Sequence, residues 1–131
     1  MLFTPVLLDS LTAQAKASPR LRQHYDLRDS DDDTSQRMLN AIEPGTILPI
    51  HRHITSSETV VVLRGKGRWN YYDNDGNLTA TFLLSANGEI KGASIPKGQW
   101  HNTESLESGT VILECKDGKY FPEGTETFLK K

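Results

Sequence analysis

One cysteine, Cys115, stands in a chain of 131 residues, so no internal disulfide can staple the fold, and the usage suits a reducing compartment. It follows the apolar run Thr110 to Glu114 with no base or second cysteine beside it, and it reads as a packing residue. An excess of either charge is missing too. Fifteen Lys plus Arg against seventeen Asp plus Glu leave a formal net charge of -2, which offers no basic footprint for nucleic acid. No segment has the unbroken apolar length of a membrane span, so no membrane partner is expected. The opening MLFTPVLLDSLTAQA holds an apolar patch and an Ala13-Gln14-Ala15 triplet like a secretory cleavage site. No Lys or Arg precedes Lys16, however, and Asp9 interrupts the patch, so the expectation is a cytoplasmic chain. Internal repeats and low-complexity tracts are absent as well.

What is present is enough for one domain: 36% of the residues are hydrophobic. Leu7, Leu8, Leu11 and Ala15 recur at helical spacing, Asp9 or Ser10 can cap the start, and Pro19 stops the run. The stretch RDSDDDTS from Arg28 to Ser35 lacks the spacing and glycine of a calcium loop and reads as a solvated loop. Residues 1–35 are thus expected to form an N-terminal helix and acidic loop packed on a barrel made by residues 36–131.

From Gln36 onward short β-rich runs alternate with turn residues. Strands are expected at 37 to 43, 47 to 53, 58 to 64, 68 to 73, 78 to 84, 90 to 95, 100 to 104 and 110 to 116. Pro44-Gly45, Gly65 to Gly67, Asp75-Gly76 and Asn87-Gly88 supply the turns between them. Short strands with no helix between them predict an all-β antiparallel sandwich or barrel of the jelly-roll kind.

The stretch PIHRHITSSE, residues 49 to 58, carries the chemistry. Residues two apart on a strand face the same way, so His51 and His53 aim both imidazoles to one side of the sheet. A turn through Thr55-Ser56-Ser57 would place Glu58 at the start of the adjacent antiparallel strand, pointing back at them. Pro96, Gly98 and His101 form P-x-G-x-x-H, a tight turn followed by a strand that projects a third imidazole. Three neutral imidazoles and a carboxylate suit one divalent transition metal, whether Zn, Fe, Mn, Co or Ni, with positions left for water or substrate. Any one of these residues alone would be an ordinary surface histidine or charge. His24, in LRQHYDLR, has no ligand spacing and is read as structural.

Gly45, His51, His53, Glu58 and Gly65 resemble the first cupin motif at every fixed position, and Pro96, Gly98 and His101 resemble the second. The second motif departs elsewhere: Gly92 lies too close to Pro96 to be its opening glycine, and Ser105 stands where its closing Asn would be, although Asn102 directly follows the histidine. More narrowly, the N-terminal helix running into AKASPRLR, then QRMLNAIEPGT, the HRH segment and ECKDGKYFP, resembles the WbuC family of cupin-fold metalloproteins over almost the whole chain. The resemblance implies a cupin jelly-roll (double-stranded β-helix) barrel with a short N-terminal α-helix, a metal site, and a context in O-antigen and related surface-polysaccharide biosynthesis. It supplies no substrate.

If His51 and His53 face inward, the set Met38, Asn40 and Ile42 is expected to line the same interior, since it carries fewer charges than its alternate, and Asn40 becomes a hydrogen-bonding pocket residue. The strand GRWNYYD puts a tyrosine in the cavity under either parity, Tyr71 or Tyr72, with Tyr71 the better fit. Glu114 facing the cavity could serve as general base or bind a sugar hydroxyl. Trp100 is placed in the wall of the site, where an aromatic face would suit a sugar ring.

Three functions fit these residues. The first is a non-redox isomerase or epimerase on a small sugar or sugar nucleotide, with the metal as Lewis acid and Glu114 or a tyrosine moving a proton. The second is an Fe(II)-dependent dioxygenase, and the third a non-catalytic module that grips a carbohydrate or small acid through the metal. A homodimer is expected, because so short a chain gains core by pairing.

Overall fold

The computed structural model describes residues 1–129. An N-terminal helix, α1 (Pro5–Ala17), precedes strands β1 (Arg22–Asp26), β2 (Ser35–Ile42), β3 (His51–His53), β4 (Glu58–Arg64) and β5 (Lys66–Tyr72). β6 (Leu78–Ser85), β7 (Gly92–Ile95), β8 (Trp100–Ser105), β9 (Val111–Asp117) and β10 (Thr125–Thr127) follow, the last entered through a 3-10 turn at Pro122–Gly124. They form two five-stranded antiparallel sheets, ordered β1-β2-β9-β4-β7 and β10-β3-β8-β5-β6. The fold is a cupin jelly roll: two sheets face each other around one interior.

Alternation along β2 explains how both sides of the first sheet are filled. Ile42 points into the barrel with Val60, Val62, Trp69, Leu84, Ile95 and Ile112, the core cluster between the sheets. Leu39 and Ala41 point the other way, where Leu8, Leu11 and Ala15 of α1 cover them. The helix therefore caps the outside of the sheet and hides apolar side chains that alternation would otherwise give to water. Arg64 fastens it, donating to Asp9 Oδ1 at 2.6 Å and to Thr12 Oγ1 at 2.9 Å.

The helix begins earlier than Asp9 or Ser10. Thr4 is its N-cap, accepting from the Leu7 amide at 3.2 Å, and Pro5 follows in the first turn, where a missing N–H costs nothing. Asp9 is spent on Arg64 instead. The acidic loop is closed by Asp33, whose carboxylate accepts from the amides of Asp29 at 3.0 Å and Ser35 at 2.8 Å.

Two strands lie outside the expected set. β1 pairs with β2 along its full length, Arg22 with Ile42 through Asp26 with Met38, although RQHYD shows no apolar alternation. β10 pairs with β3, Thr125 opposite His53 and Thr127 opposite His51. The expected run 47 to 53 is regular only at His51–His53.

Leu11, 2% exposed under the sheet, is expected to cost about 2–4 kcal/mol when cut to Ala, while Val6→Ala on the open side of α1, 79% exposed, stays within about 0.5 kcal/mol. Urea unfolding of both variants checks this, and equal losses would mean that α1 does not hold the sheet.

Candidate metal centre

His51 and His53 face the barrel interior from β3, and register sets His101 of β8 directly opposite His51. The turn before β8 is tied to the same place. Gly98, at φ +81, donates its amide to the His53 carbonyl at 2.8 Å, and the Gln99 amide returns to Pro96 O at 3.2 Å. A residue with a Cβ would be strained at that φ, which is why the P-x-G pair precedes the histidine. The three rings have centroids 4.4 to 5.6 Å apart, and one nitrogen from each lies within 4.8 Å of the others.

The outer nitrogens are engaged. His51 Nδ1 sits 3.0 Å from Pro49 O, and His101 Nδ1 sits 2.8 Å from Gln99 O. A carbonyl only accepts, so both rings carry the proton on Nδ1 and present the Nε2 lone pair. His53 Nδ1 lies 3.2 Å from the Thr125 hydroxyl on β10. On the inner side, Nε2 of His53 and of His101 are buried without a hydrogen-bond partner among the described residues. Unpartnered nitrogens on converging rings, with their far nitrogens engaged, are what a metal ligand set requires. Burial pushes His51 down to about 4 and lowers His101, so both are neutral at neutral pH, the form that binds metal.

Glu58 reaches the histidines by a different path from the expected hairpin. β3 and β4 belong to different sheets, so residues 54–57 cross from one sheet to the other and Glu58 faces the imidazoles across the interior. Its Oε2 lies 2.7 Å from His53 Nε2, a short contact that is not aligned as a hydrogen bond. Burial works against its ionisation, yet the neighbouring His53 and Lys116, whose Nζ is 3.8 Å away, hold its carboxyl below the usual range. Glu58 is therefore a carboxylate at neutral pH. The metal-ligand group proper contains the three histidines, and Glu58 adjoins it.

Register places the other candidates. Tyr71 pairs with His101 and stands on its face, packed edge-on against Phe82 with ring centroids 5.0 Å apart. Asn40 is inward and 5% exposed, with an unpartnered Oδ1. Glu114 pairs with Met38 and Val60 on the same inner face, and it lines a cavity of about 300 Å³ with His24, Asp26, Met38, Lys116 and Tyr120. Burial and the Glu58 charge push Glu114 up to about 7, against Lys116 and Asn40.

Tyr72 and Trp100 do not reach the site. They alternate with Tyr71 and His101, so both lie on the outer face of the sheet. Tyr72 donates to Asn102 Oδ1 at 3.0 Å, and Trp100 stacks under Arg52 at 4.4 Å and donates to Asn74. Sequence reasoning misses His24 and Lys116, both in the cavity wall, and Thr125 behind His53. His24 pairs with Asn40 on the inner face, a placement invisible while β1 is unrecognised. Lys116 was open to inference, because it shares parity with Glu114.

Residues 3–84 match the model of a family described as Domain of unknown function (DUF6016). The chain belongs to that family. No curated protein matches the DUF6016 chain. Among solved structures it is similar to the capsular polysaccharide assembling protein CapF from Staphylococcus aureus, at 23% identity and TM-score 0.70, over 85% of this chain and 32% of that one. It is also similar to protein SO0799 from Shewanella oneidensis, at 16% identity and TM-score 0.65, over 80% of this chain and 72% of that one. A third likeness is to oxalate decarboxylase from Bacillus subtilis, whose structure concerns its Mn(II) centers, at 21% identity and TM-score 0.62, over 82% of this chain and 27% of that one. The DUF6016 chain spans about a third of the length of the CapF chains it matches. These likenesses support the cupin fold. Among the described residues no helix is long and apolar enough to cross a membrane.

The titrations give opposite pH trends for the metal-free protein. His51, with a folded pKa about 4, refuses a proton that the unfolded chain accepts below about 6.5, so its contribution to stability falls as pH drops through that window. Glu114, with a folded pKa about 7, takes a proton before the unfolded chain does, so its contribution is lost as pH rises from about 4.5 to 7, at no more than about 1.4 kcal/mol per pH unit. Glu114→Gln should therefore gain on wild type in thermal unfolding with chelator as pH is raised from 5 to 8. A difference constant over that range would show that Glu114 keeps an ordinary pKa.

Proposed function

We propose that this DUF6016 chain is a mononuclear metal-binding cupin of the WbuC type, acting as a non-redox isomerase or epimerase on a small sugar-related substrate in surface-polysaccharide biosynthesis. The observation that carries the metal reading is the convergence of three imidazoles with engaged Nδ1 atoms, two of which, His53 and His101, leave a buried Nε2 without a hydrogen-bond partner. His51, His53 and His101 would hold the ion with Glu58 as the adjoining carboxylate, and a divalent ion there supplies Lewis acidity toward substrate oxygens. The likeness in fold to CapF supports the polysaccharide context.

The reaction would fall to groups on the inner face. Glu114, pushed up to about 7, is suited to take or give a proton near neutral pH at a substrate carbon or hydroxyl in the cavity it lines. Tyr71 is raised by burial and by Glu58, so it stays a phenol and donates a hydrogen bond rather than acting as a base. Asn40, with its free Oδ1, would accept from a hydroxyl or hold Glu114 in place. Residues 1–35 and 36–131 are read as one domain, with the helix segment packed on the barrel.

Elemental analysis of protein purified without added metal tests this reading. Wild type should carry close to one transition-metal ion per chain, and His51→Ala and His101→Ala should lose affinity by roughly a hundredfold. A non-redox role is supported by zinc, manganese, cobalt or nickel together with no oxygen uptake. Iron with oxygen uptake would move the protein to the dioxygenases, and no uptake of any metal on reconstitution would sink the site.

A further inference from the structure

Lys116 stands between two inward-facing carboxylates. It follows Glu114 by two residues on β9, and register sets it opposite Glu58 on β4. Among the described residues its ammonium has a single ion-pair contact, to Glu58 Oε2 at 3.8 Å, too long for a hydrogen bond. The side chain is nonetheless only 13% exposed. A largely desolvated ammonium held so loosely is a poor structural tie. Besides a more open hollow shared with Thr59 and Cys115, Lys116 lines a recess of about 80 Å³ that reaches His53 and a cavity of about 300 Å³ beneath β1. The two arginines of that cavity are already committed, Arg28 to Asp26 at 2.8 Å and Arg37 to Asp33 at 3.2 Å.

We infer that Lys116 is an exchangeable counter-ion: it neutralises Glu58 while the imidazoles hold no cation and, once a divalent ion takes Glu58, turns its ammonium to an anionic group of a ligand in the adjoining cavity. The inference rests on the reading of His51, His53 and His101 as metal ligands beside Glu58. Without a metal, Glu58 is a buried carboxylate between the His53 ring at 2.7 Å and the Lys116 ammonium at 3.8 Å, and the lysine is the permanent cation of the two. A divalent ion takes over the neutralisation of Glu58 and repels Lys116. The long aliphatic stem of lysine allows the ammonium to move, and the shared wall gives it somewhere to go.

Charge then selects the ligand. With a divalent ion on Glu58 and Lys116 released, the wall between metal and cavity is net positive, and a neutral sugar would leave it so. A small hydroxy acid or sugar acid compensates it, with oxygens toward the metal and its carboxylate on Lys116.

Titration of the full chain with Co²⁺, followed by its visible absorption, tests this in wild type, Lys116→Met and Lys116→Arg, with and without glycolate. Lys116→Met is expected to bind Co²⁺ more tightly than wild type, by on the order of tenfold, because the competing and repelling ammonium is gone. Glycolate should perturb the Co²⁺ bands of wild type and Lys116→Arg, whereas Lys116→Met should need at least about tenfold more of it. Weaker or unchanged Co²⁺ affinity in Lys116→Met, or an equal response to glycolate, overturns the inference while wild-type Co²⁺ binding leaves the metal reading standing. Failure of wild type to bind Co²⁺ removes both. If Lys116→Met does not fold, Lys116→Gln carries the same expectation.

Discussion

Period-two alternation on β2 and β9 is the constraint on which the rest of the structure depends. Each strand is buried on both faces, so every second residue is assigned to one of two different environments. Leu39, Ala41 and Val111 go beneath the helix, and Ile42 and Ile112 go to the barrel core. A shift of one residue would exchange these sets, putting Leu39 in the interior and Ile42 under α1. The apolar residues thus hold the register, and the register in turn delivers Asn40, Glu114 and Lys116 to the interior as polar passengers.

Burying those polar groups is expensive, and the interior shows how the cost is distributed. Glu58 keeps its charge because Lys116 and His53 stand beside it, while Glu114, with weaker support, moves toward neutrality. His51 and His101 stay neutral because burial disfavours the charged ring. One end of the barrel is apolar, built around Trp69 and Val60. The end that carries the histidines is polar and incompletely satisfied, with free atoms on His53, His101 and Asn40. That asymmetry separates the part of the chain that provides stability from the part with unsatisfied binding capacity.

Supporting contacts around the histidines come from segments far apart in the chain. Pro49 O and Gln99 O, which engage His51 and His101, are backbone groups two residues before each ring, so any sequence that makes these turns makes the contacts. Thr125 is different: it lies 72 residues from His53 and arrives only because β10 adds to the edge of β3. The same strand covers an edge that would otherwise be open to pairing, so it serves the site and the sheet together.

The sequence by itself determined the strand pattern from β2 to β9, the pairing of His51 with His53 on one face, and the turn that presents His101, because alternation and turn chemistry are local properties. It also determined that Tyr71 could face inward. Tertiary structure alone decided that Glu58 approaches from the opposite sheet, that Tyr72 and Trp100 fall on the outside, and that His24 enters the cavity wall. β1 was invisible because its inward side chains, Arg22, His24 and Asp26, are polar and leave no periodic apolar signal. Their place in the sheet comes from pairing with β2, and pairing between distant segments is not written in either one alone.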